Sequence, residues 1–390
     1  MRILITAFPG EGHVQPMLPL ARAAQRRGHD VVVATGPDAV PGLRRRGFTA
    51  WAVGPTMAES FSYPHGLGPP PAGEPIFVTA GTRVFTPAAE RLAAELLPQA
   101  QDWGPELVVS ETTEVAGLVV AASTGARFVA HGLGPLPEPA HWLDVAAFAA
   151  LCTRWGLPEP AGGLLDATYL DICPPSLHLR GHADGQDVRP MRAAAGDSAE
   201  RPAPVEGLAA LPHRETVHLS LGTVVNSRPG AFDAALAGLC ALPVNVVVTT
   251  GKDVDPATLG PQPPQVLVER YLPHATLLQH CAAMVSHAGA ATMLAGYRHG
   301  LPQLFLPRGG DQFDNAAAAA GAGAALVLAP DEADPAAVTA AAGRLLGEPG
   351  FTTAARRIRA EIEAMPDADT VFEALCDELE RRPPGTARDG

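Results

Sequence analysis

At 390 residues the chain is longer than one hydrophobic core usually supports, so two domains are expected. With 47% hydrophobic and 18% charged residues it is globular, and its formal charge of −13 argues against a nucleic-acid backbone or an anionic membrane as partner.

The first strand is Arg2–Ala7, which runs into Phe8-Pro9-Gly10-Glu11-Gly12-His13. A helix is expected from about Val14 to Arg27, because Met17, Leu20, Ala21 and Ala24 fall at helical spacing and Gly28 can end it. Asp30–Thr35, Thr49–Val53, Leu107–Ser110 and Ala126–His131 continue as strands, with a short helix at Pro41–Arg46. Strands apolar throughout and alternating with helices imply a parallel sheet covered on both faces. Two irregular stretches interrupt the alternation. Pro55–Pro75 holds Phe61, Tyr63 and His65, and Pro135–Pro160 holds His141, Trp142, Phe148 and Trp155. Both are candidate walls of an apolar ligand pocket, with ordinary surface loops as the competing reading.

Arg180–His213 is poor in large apolar residues and reads as a linker. A second series follows, with strands at Thr216–Ser220, Val244–Thr249, Val266–Arg270, Ala283–Ser286, Gln303–Leu306 and Ala325–Leu328. Helices are expected near Gly230–Ala241, Thr292–His299, Asn315–Ala322, Pro335–Gly347, Gly350–Ala364 and Ala368–Glu380. The expected division is a first α/β domain over 1–200, a linker at 201–213, a second α/β domain over 214–366 and a terminal helix over 367–382. Cys152, Cys173, Cys240, Cys281 and Cys376 are odd in number and lack a C-x-x-C, which argues against a disulfide framework or a thiolate zinc site. No apolar run reaches membrane-spanning length and no signal-peptide core precedes the first strand, so a cytoplasmic protein is expected.

Two segments carry chemistry. Met284-Val-Ser-His-Ala-Gly-Ala-Ala-Thr292 reads as a buried strand, a turn of small residues and a helix start, a place where free N–H groups and the helix dipole favour an anion. Gly300-Leu-Pro-Gln-Leu-Phe-Leu-Pro307 and Gly310-Asp-Gln-Phe-Asp-Asn315 add a neighbouring strand and a polar turn. A diphosphate and an attached polar group could sit side by side there. Near the N-terminus, Gly10 and Gly12 hint at a dinucleotide loop, but Gln15 stands where the third glycine belongs. The second strand, ending Val33-Ala34-Thr35-Gly36, also lacks a ribose-binding acid.

The stretch Val268–Ala319 resembles the donor-sugar signature of the UDP-glycosyltransferase-like superfamily (glycosyltransferase family 1), and is closest to bacterial natural-product enzymes of the calicheamicin type. The matching residues are His287-Ala288-Gly289-Ala290-Ala291-Thr292, Gly300-Leu301-Pro302, Asp311-Gln312 and Asn315-Ala316. Ala288 and Ala291 replace the usual glycines. If either position needs positive φ, alanine costs about 1 kcal/mol or more. Gly12, His13, Pro16, Leu20 and Ala21 fit the same family's first motif. The resemblance implies a GT-B fold, in which two Rossmann-like parallel-sheet domains face each other across a cleft and the last helix returns to the first domain.

It also implies roles. His13 would be the general base, a function suited to a side chain with an ordinary pKa near 6.5. Glu111, just after the fourth strand, would hold its other nitrogen, with Glu114 as the alternative acid; a helix-terminal carboxylate is the competing reading of Glu111. His287, Gly289, Ala290, Ala291 and Thr292, with Gly222 and Thr223, would bind the donor diphosphate. Tyr271 and Leu272 would meet the nucleobase, and Asp311 and Gln312 the sugar hydroxyls. Asn315 reads as a helix cap. No metal and no cofactor is implied; the co-substrate would be a UDP- or dTDP-sugar. The spacing of His178 and His182 is set aside as a metal signal, because the pair lies at the edge of the expected linker.

The expected activity is inverting transfer of a sugar, with deoxysugars among the candidates, to a hydroxyl of an apolar natural product. The alternatives are carbon glycosylation of a phenol and a non-catalytic activator of a partner transferase. Neither nucleic acid nor membrane is expected as a partner, and a homodimer is left open.

Overall fold

The computed structural model describes residues 1–62, 81–135, 152–156, 167–179, 181–182, 185–193, 204–222, 230–251 and 254–381. It divides into two compact units. The first comprises Met1–Cys173, Arg180–Ala193 and Met365–Gly390, and the second Pro174–Leu179 and Ala194–Ala364.

In the first unit the strands are β1 (Arg2–Thr6), β2 (Asp30–Thr35), β3 (Thr49–Ala52), β4 (Leu107–Glu111), β5 (Arg127–His131), β6 (Thr168–Asp171) and β7 (Val188–Pro190). They pair in parallel in the order β3-β2-β1-β4-β5-β6-β7. The helix Thr86–Trp103 lays Ala89, Leu92, Ala93, Leu96 and Ala100 against Leu4 and Val108 of the sheet. These positions recur every three or four residues, which puts them on one helical stripe. Full burial of Leu92 and Leu96 contributes roughly 1.5–3 kcal/mol each.

β7 lies inside the stretch that composition marks as a linker. It is three residues long and ends in Pro190, and so carries almost no strand signal. A proline is tolerated because β7 is an edge strand. The following Met191 is fully buried. The terminal helix Ala368–Arg381 packs on the helix Glu11–Arg26 through Val371, Phe372 and Leu375, and the Phe372 ring meets His29 at 5.2 Å. Exposed ion pairs Arg26–Asp369 (2.6 Å) and Arg27–Glu373 (3.0 Å) flank the contact. At about 0–1 kcal/mol each, they matter less than the apolar stripe.

The second unit contains β8 (Thr216–Ser220), β9 (Asn245–Thr249), β10 (Val266–Glu269), β11 (Ala283–Ser286), β12 (Gln303–Phe305) and β13 (Ala325–Val327). Their order is β10-β9-β8-β11-β12-β13, again parallel. Val217, Leu219, Val246, Val248, Val285 and Leu304 form one core with Leu236, Leu239, Val338 and Leu345. The helix Pro335–Gly347 starts where it does because the Asp334 carboxylate accepts from Ala337 N–H at 2.7 Å and Pro335 takes the first helical position.

Each sheet changes direction of strand addition once, between β1 and β4 and between β8 and β11. Crevices outside the carboxyl ends of such strands are where open α/β sheets hold ligands. The two candidate clusters lie at these points, one in each unit. Among the described residues, no helix is long and apolar enough to cross a membrane.

Candidate active site

In the first unit, β1 delivers His13 and β4 delivers Glu111. The helix expected to begin at Val14 begins at Glu11, after Gly10 in an extended conformation (φ −77°, ψ 140°). His13 therefore occupies the first helical turn, over the carboxyl edge of the sheet. Its Nδ1 lies 3.0 Å from Glu111 Oε1. The same oxygen accepts from Phe8 N–H at 3.3 Å, while Oε2 accepts from Thr113 N–H at 2.6 Å. The Thr113 hydroxyl donates to this carboxylate as well, at 2.7 Å from Oε1. Glu111 is completely buried and His13 is 21% exposed. Burial acts to raise the Glu111 pKa, but the His13 charge and the donors from His13 and Thr113 outweigh it, so the carboxyl sits below its ordinary value. An ionised acceptor is thereby fixed against one imidazole nitrogen.

Phe8 and Phe85 frame the histidine, with ring centroids 5.1 Å and 5.8 Å from it. Sequence reasoning did not single out either ring. Phe8 could have been found from its place at the strand end, whereas Phe85 carries no comparable signal.

Glu114 does not reach His13 in this arrangement. Its oxygens accept from Ala116 N–H (2.8 Å) and Gly117 N–H (3.3 Å), so it serves the start of the helix Ala116–Thr124. The helix-terminal role entertained for Glu111 thus falls to Glu114. Burial pushes Glu114 up to about 7, and the nearby Glu111 charge adds to the rise. His131 is also buried, with Nδ1 2.7 Å from Gly132 O, and desolvation lowers it to about 4. His182 Nε2 lies 2.8 Å from Asp171 Oδ2.

In the second unit, the ring of His287 lies between two glycines. A β-carbon at Gly222, whose φ is +75°, would fall 2.5 Å from His287 Cε1 and Nε2. One at Gly289 would fall 2.4 Å from Nε2. Only glycine fits on either side, so these two residues set the ring's place. Burial lowers His287 to about 4, so its ring is neutral at pH 7. The helix Ala290–Arg298 begins immediately after, and its ladder starts with Met293 N–H to Gly289 O at 2.9 Å. The N–H groups of Gly289, Ala290, Ala291 and Thr292 lie outside that ladder, the arrangement an anion needs.

The two departures from glycine differ physically. Ala288 has φ +66° and, among the described residues, is the one non-glycine residue with positive φ. Ala291 is helical and unstrained. After β12, Gln312 Oε1 accepts from Arg308 N–H (2.8 Å) and Gly309 N–H (3.2 Å). That leaves the amide nitrogen as its offering to a ligand. Asp311 Oδ2 accepts from Asn315 Nδ2 at 2.8 Å. Asn315 lies one turn inside the helix Gln312–Gly321, so it is not the cap that its sequence position suggests. Tyr271 is 67% exposed, an unusual state for a large ring and one suited to stacking. Leu272 beside it is half-buried. Phe61 is exposed on the helix Met57–Ser62. Tyr63, His65, His141, Trp142 and Thr223 lie outside the described residues.

Residues 233–378 match the erythromycin biosynthesis protein CIII-like, C-terminal domain. The whole chain is similar to an L-demethylnoviosyl transferase of Streptomyces niveus, at 33% identity over 395 residues, covering 97% of this chain and 98% of that protein. The chain belongs to the antibiotic glycosyltransferases. Elloramycin glycosyltransferase ElmGT of Streptomyces olivaceus is 32% identical over 386 residues, 94% of each chain. Spinosyn rhamnosyltransferase SpnG, solved with thymidine diphosphate, matches with a TM-score of 0.80 at 26% identity, covering 96% of this chain and 100% of that one. The fold of this glycosyltransferase is therefore GT-B, and the protein is an enzyme that uses a nucleotide sugar.

Proposed function

We propose that this enzyme transfers a sugar from a dTDP-sugar to a hydroxyl of an apolar natural-product aglycone, with inversion at the anomeric carbon. The observation that carries the proposal is the His13–Glu111 contact of 3.0 Å at the switch point of the first sheet. With the Nδ1 proton directed at Glu111, Nε2 is the basic nitrogen. It takes the acceptor's hydroxyl proton as the oxygen attacks the anomeric carbon, and the sugar–phosphate bond breaks on the opposite face. Glu111 stabilises the imidazolium that forms. General-base help of this kind is typically worth ~10²–10⁴-fold in rate.

The leaving diphosphate takes the electron pair. His287 and the N–H groups from Gly289 to Thr292 hold it in this reading, with charge stabilisation supplied by fixed dipoles. No metal enters this reading. Tyr271 stacks on the base, and Asp311 with Gln312 binds sugar hydroxyls. The preference for thymidine is supported by relatives: SpnG was solved with thymidine diphosphate, and one of the similar proteins is the TDP-daunosamine transferase DnrS of Streptomyces peucetius.

The test is proton NMR of the product formed from an α-linked dTDP-sugar in the presence of EDTA. A β-glycoside is expected. An α-glycoside, or loss of transfer on chelation, would overturn the mechanism.

A further inference from the structure

Asn315 is 2% exposed, and its side-chain nitrogen is shared between two turns of the second unit. Nδ2 donates to Ala288 O at 2.9 Å and to Asp311 Oδ2 at 2.8 Å. Both partners are pure acceptors, so the amide must present its nitrogen to them. An NH₂ group has two hydrogens, and these contacts use both. Ala288 is the strained residue of the anion turn, and its N–H is in turn held by Ser286 Oγ at 3.2 Å. Asp311 opens the helix one turn before Asn315, whose own N–H donates to Asp311 O at 2.9 Å. A single buried amide therefore ties the main chain of one turn to the carboxylate of the other.

We propose that Asn315 is a positioning residue for the donor sugar: it fixes the Asp311 carboxylate relative to the diphosphate turn. This rests on the reading above that Asp311 binds sugar hydroxyls. The buried amide bonds Asp311 Oδ2 and so presents the other carboxylate oxygen in a set direction. The bond is charge-assisted, the stronger kind, so it can hold an exposed acid. Asn315 itself need not touch the sugar. It acts on the sugar through Asp311.

The test compares affinities for dTDP and for dTDP-glucose by calorimetry in wild type, Asn315→Ala, Asn315→Asp, Asp311→Ala and the Asp311→Ala/Asn315→Ala double variant. Thermal unfolding establishes that each is folded. Asn315→Ala also removes the donor to Ala288 O in the diphosphate turn, so dTDP should weaken slightly and dTDP-glucose about tenfold more than dTDP. Asn315→Asp keeps the shape but sets a second carboxylate against Asp311, so it should weaken the sugar nucleotide further. On the Asp311→Ala background, Asn315→Ala should weaken dTDP-glucose no more than it weakens dTDP.

Equal weakening of dTDP and dTDP-glucose would overturn the proposal, since Asn315 would then serve the anion turn or the fold alone. An unaffected Asn315→Ala beside an impaired Asp311→Ala would overturn it while sparing the reading of Asp311. An unaffected Asp311→Ala would remove the sugar role from Asp311 and both claims with it.

Discussion

Replacing Glu111 by glutamine exchanges one carboxylate oxygen for an NH₂ group in a fully occupied, buried site. Thr113 N–H approaches Oε2 at 2.6 Å, too close for a second donor, so the amide oxygen must stay on that side. The NH₂ then faces His13 Nδ1 and Phe8 N–H, which lie 3.0 and 3.3 Å from the oxygen it replaces. Two donors cannot share that space. The imidazole must move its proton to Nε2, and Nε2 ceases to be a base. The expected loss in kcat/KM is ~10²–10⁴-fold, the usual worth of general-base assistance. Phe8 N–H also loses its acceptor, which should lower stability by about 1–3 kcal/mol. The assay is steady-state transfer kinetics with urea unfolding and dTDP affinity measured on the same protein. Glu114→Gln is the internal control: it lies on the helix start, so transfer should change only a few-fold. If folded Glu111→Gln keeps transfer within about tenfold of wild type, the tautomer argument is wrong.

Two further outcomes follow from the same geometry. Ala288→Gly relieves a left-handed strain of ~1–2 kcal/mol but gives back ~0.4–1 in chain entropy and ~0.8 for the buried methyl, so it should be nearly neutral. Ala291→Gly relieves nothing and should cost about 1 kcal/mol; equal urea midpoints and slopes for the two variants would contradict the strain at Ala288. On acidification, His131, His274 and His287 are each lowered to about 4, so the unfolded chain binds more protons than the folded one between the ordinary 6.5 and about 4. Their contribution is present above pH 6.5 and lost as pH falls towards 4, by about 1.4 kcal/mol per pH unit per histidine. Glu114 works in the opposite sense: its raised carboxyl contributes below the ordinary 4.5 and loses that contribution as pH climbs through about 7. Glu114→Gln should therefore make stability rise more steeply between pH 4.5 and 6.5, and an unchanged slope there would refute the assignment.

Much of this arrangement was legible in the sequence because strands buried on both faces are continuous apolar runs. Asp30–Thr35, Thr216–Ser220 and Ala283–Ser286 coincide with their expected bounds. The pairing of His13 with Glu111 was implied by the family resemblance, and it forms because β1, which leads to His13, and β4, which ends at Glu111, are neighbours. Other features depend on tertiary context. β7 is too short and polar to announce itself. Periodicity does not distinguish Glu111 from Glu114, because only the direction of each side chain separates a partner of His13 from a helix-terminal carboxylate. Local preference made Asn315 a cap, whereas burial and two distant acceptors make it a bridge. The positive φ of Ala288 was conditional on a backbone that composition cannot reveal, and the rings of Phe8 and Phe85 reach His13 only through the fold.

The central claim is that His13 removes the acceptor proton. The most direct measurement is transfer by His13→Ala, with EDTA present and dTDP binding measured alongside. A fall of ~10²–10⁴-fold in kcat with unchanged dTDP affinity is expected. Near wild-type transfer by the folded variant would contradict it.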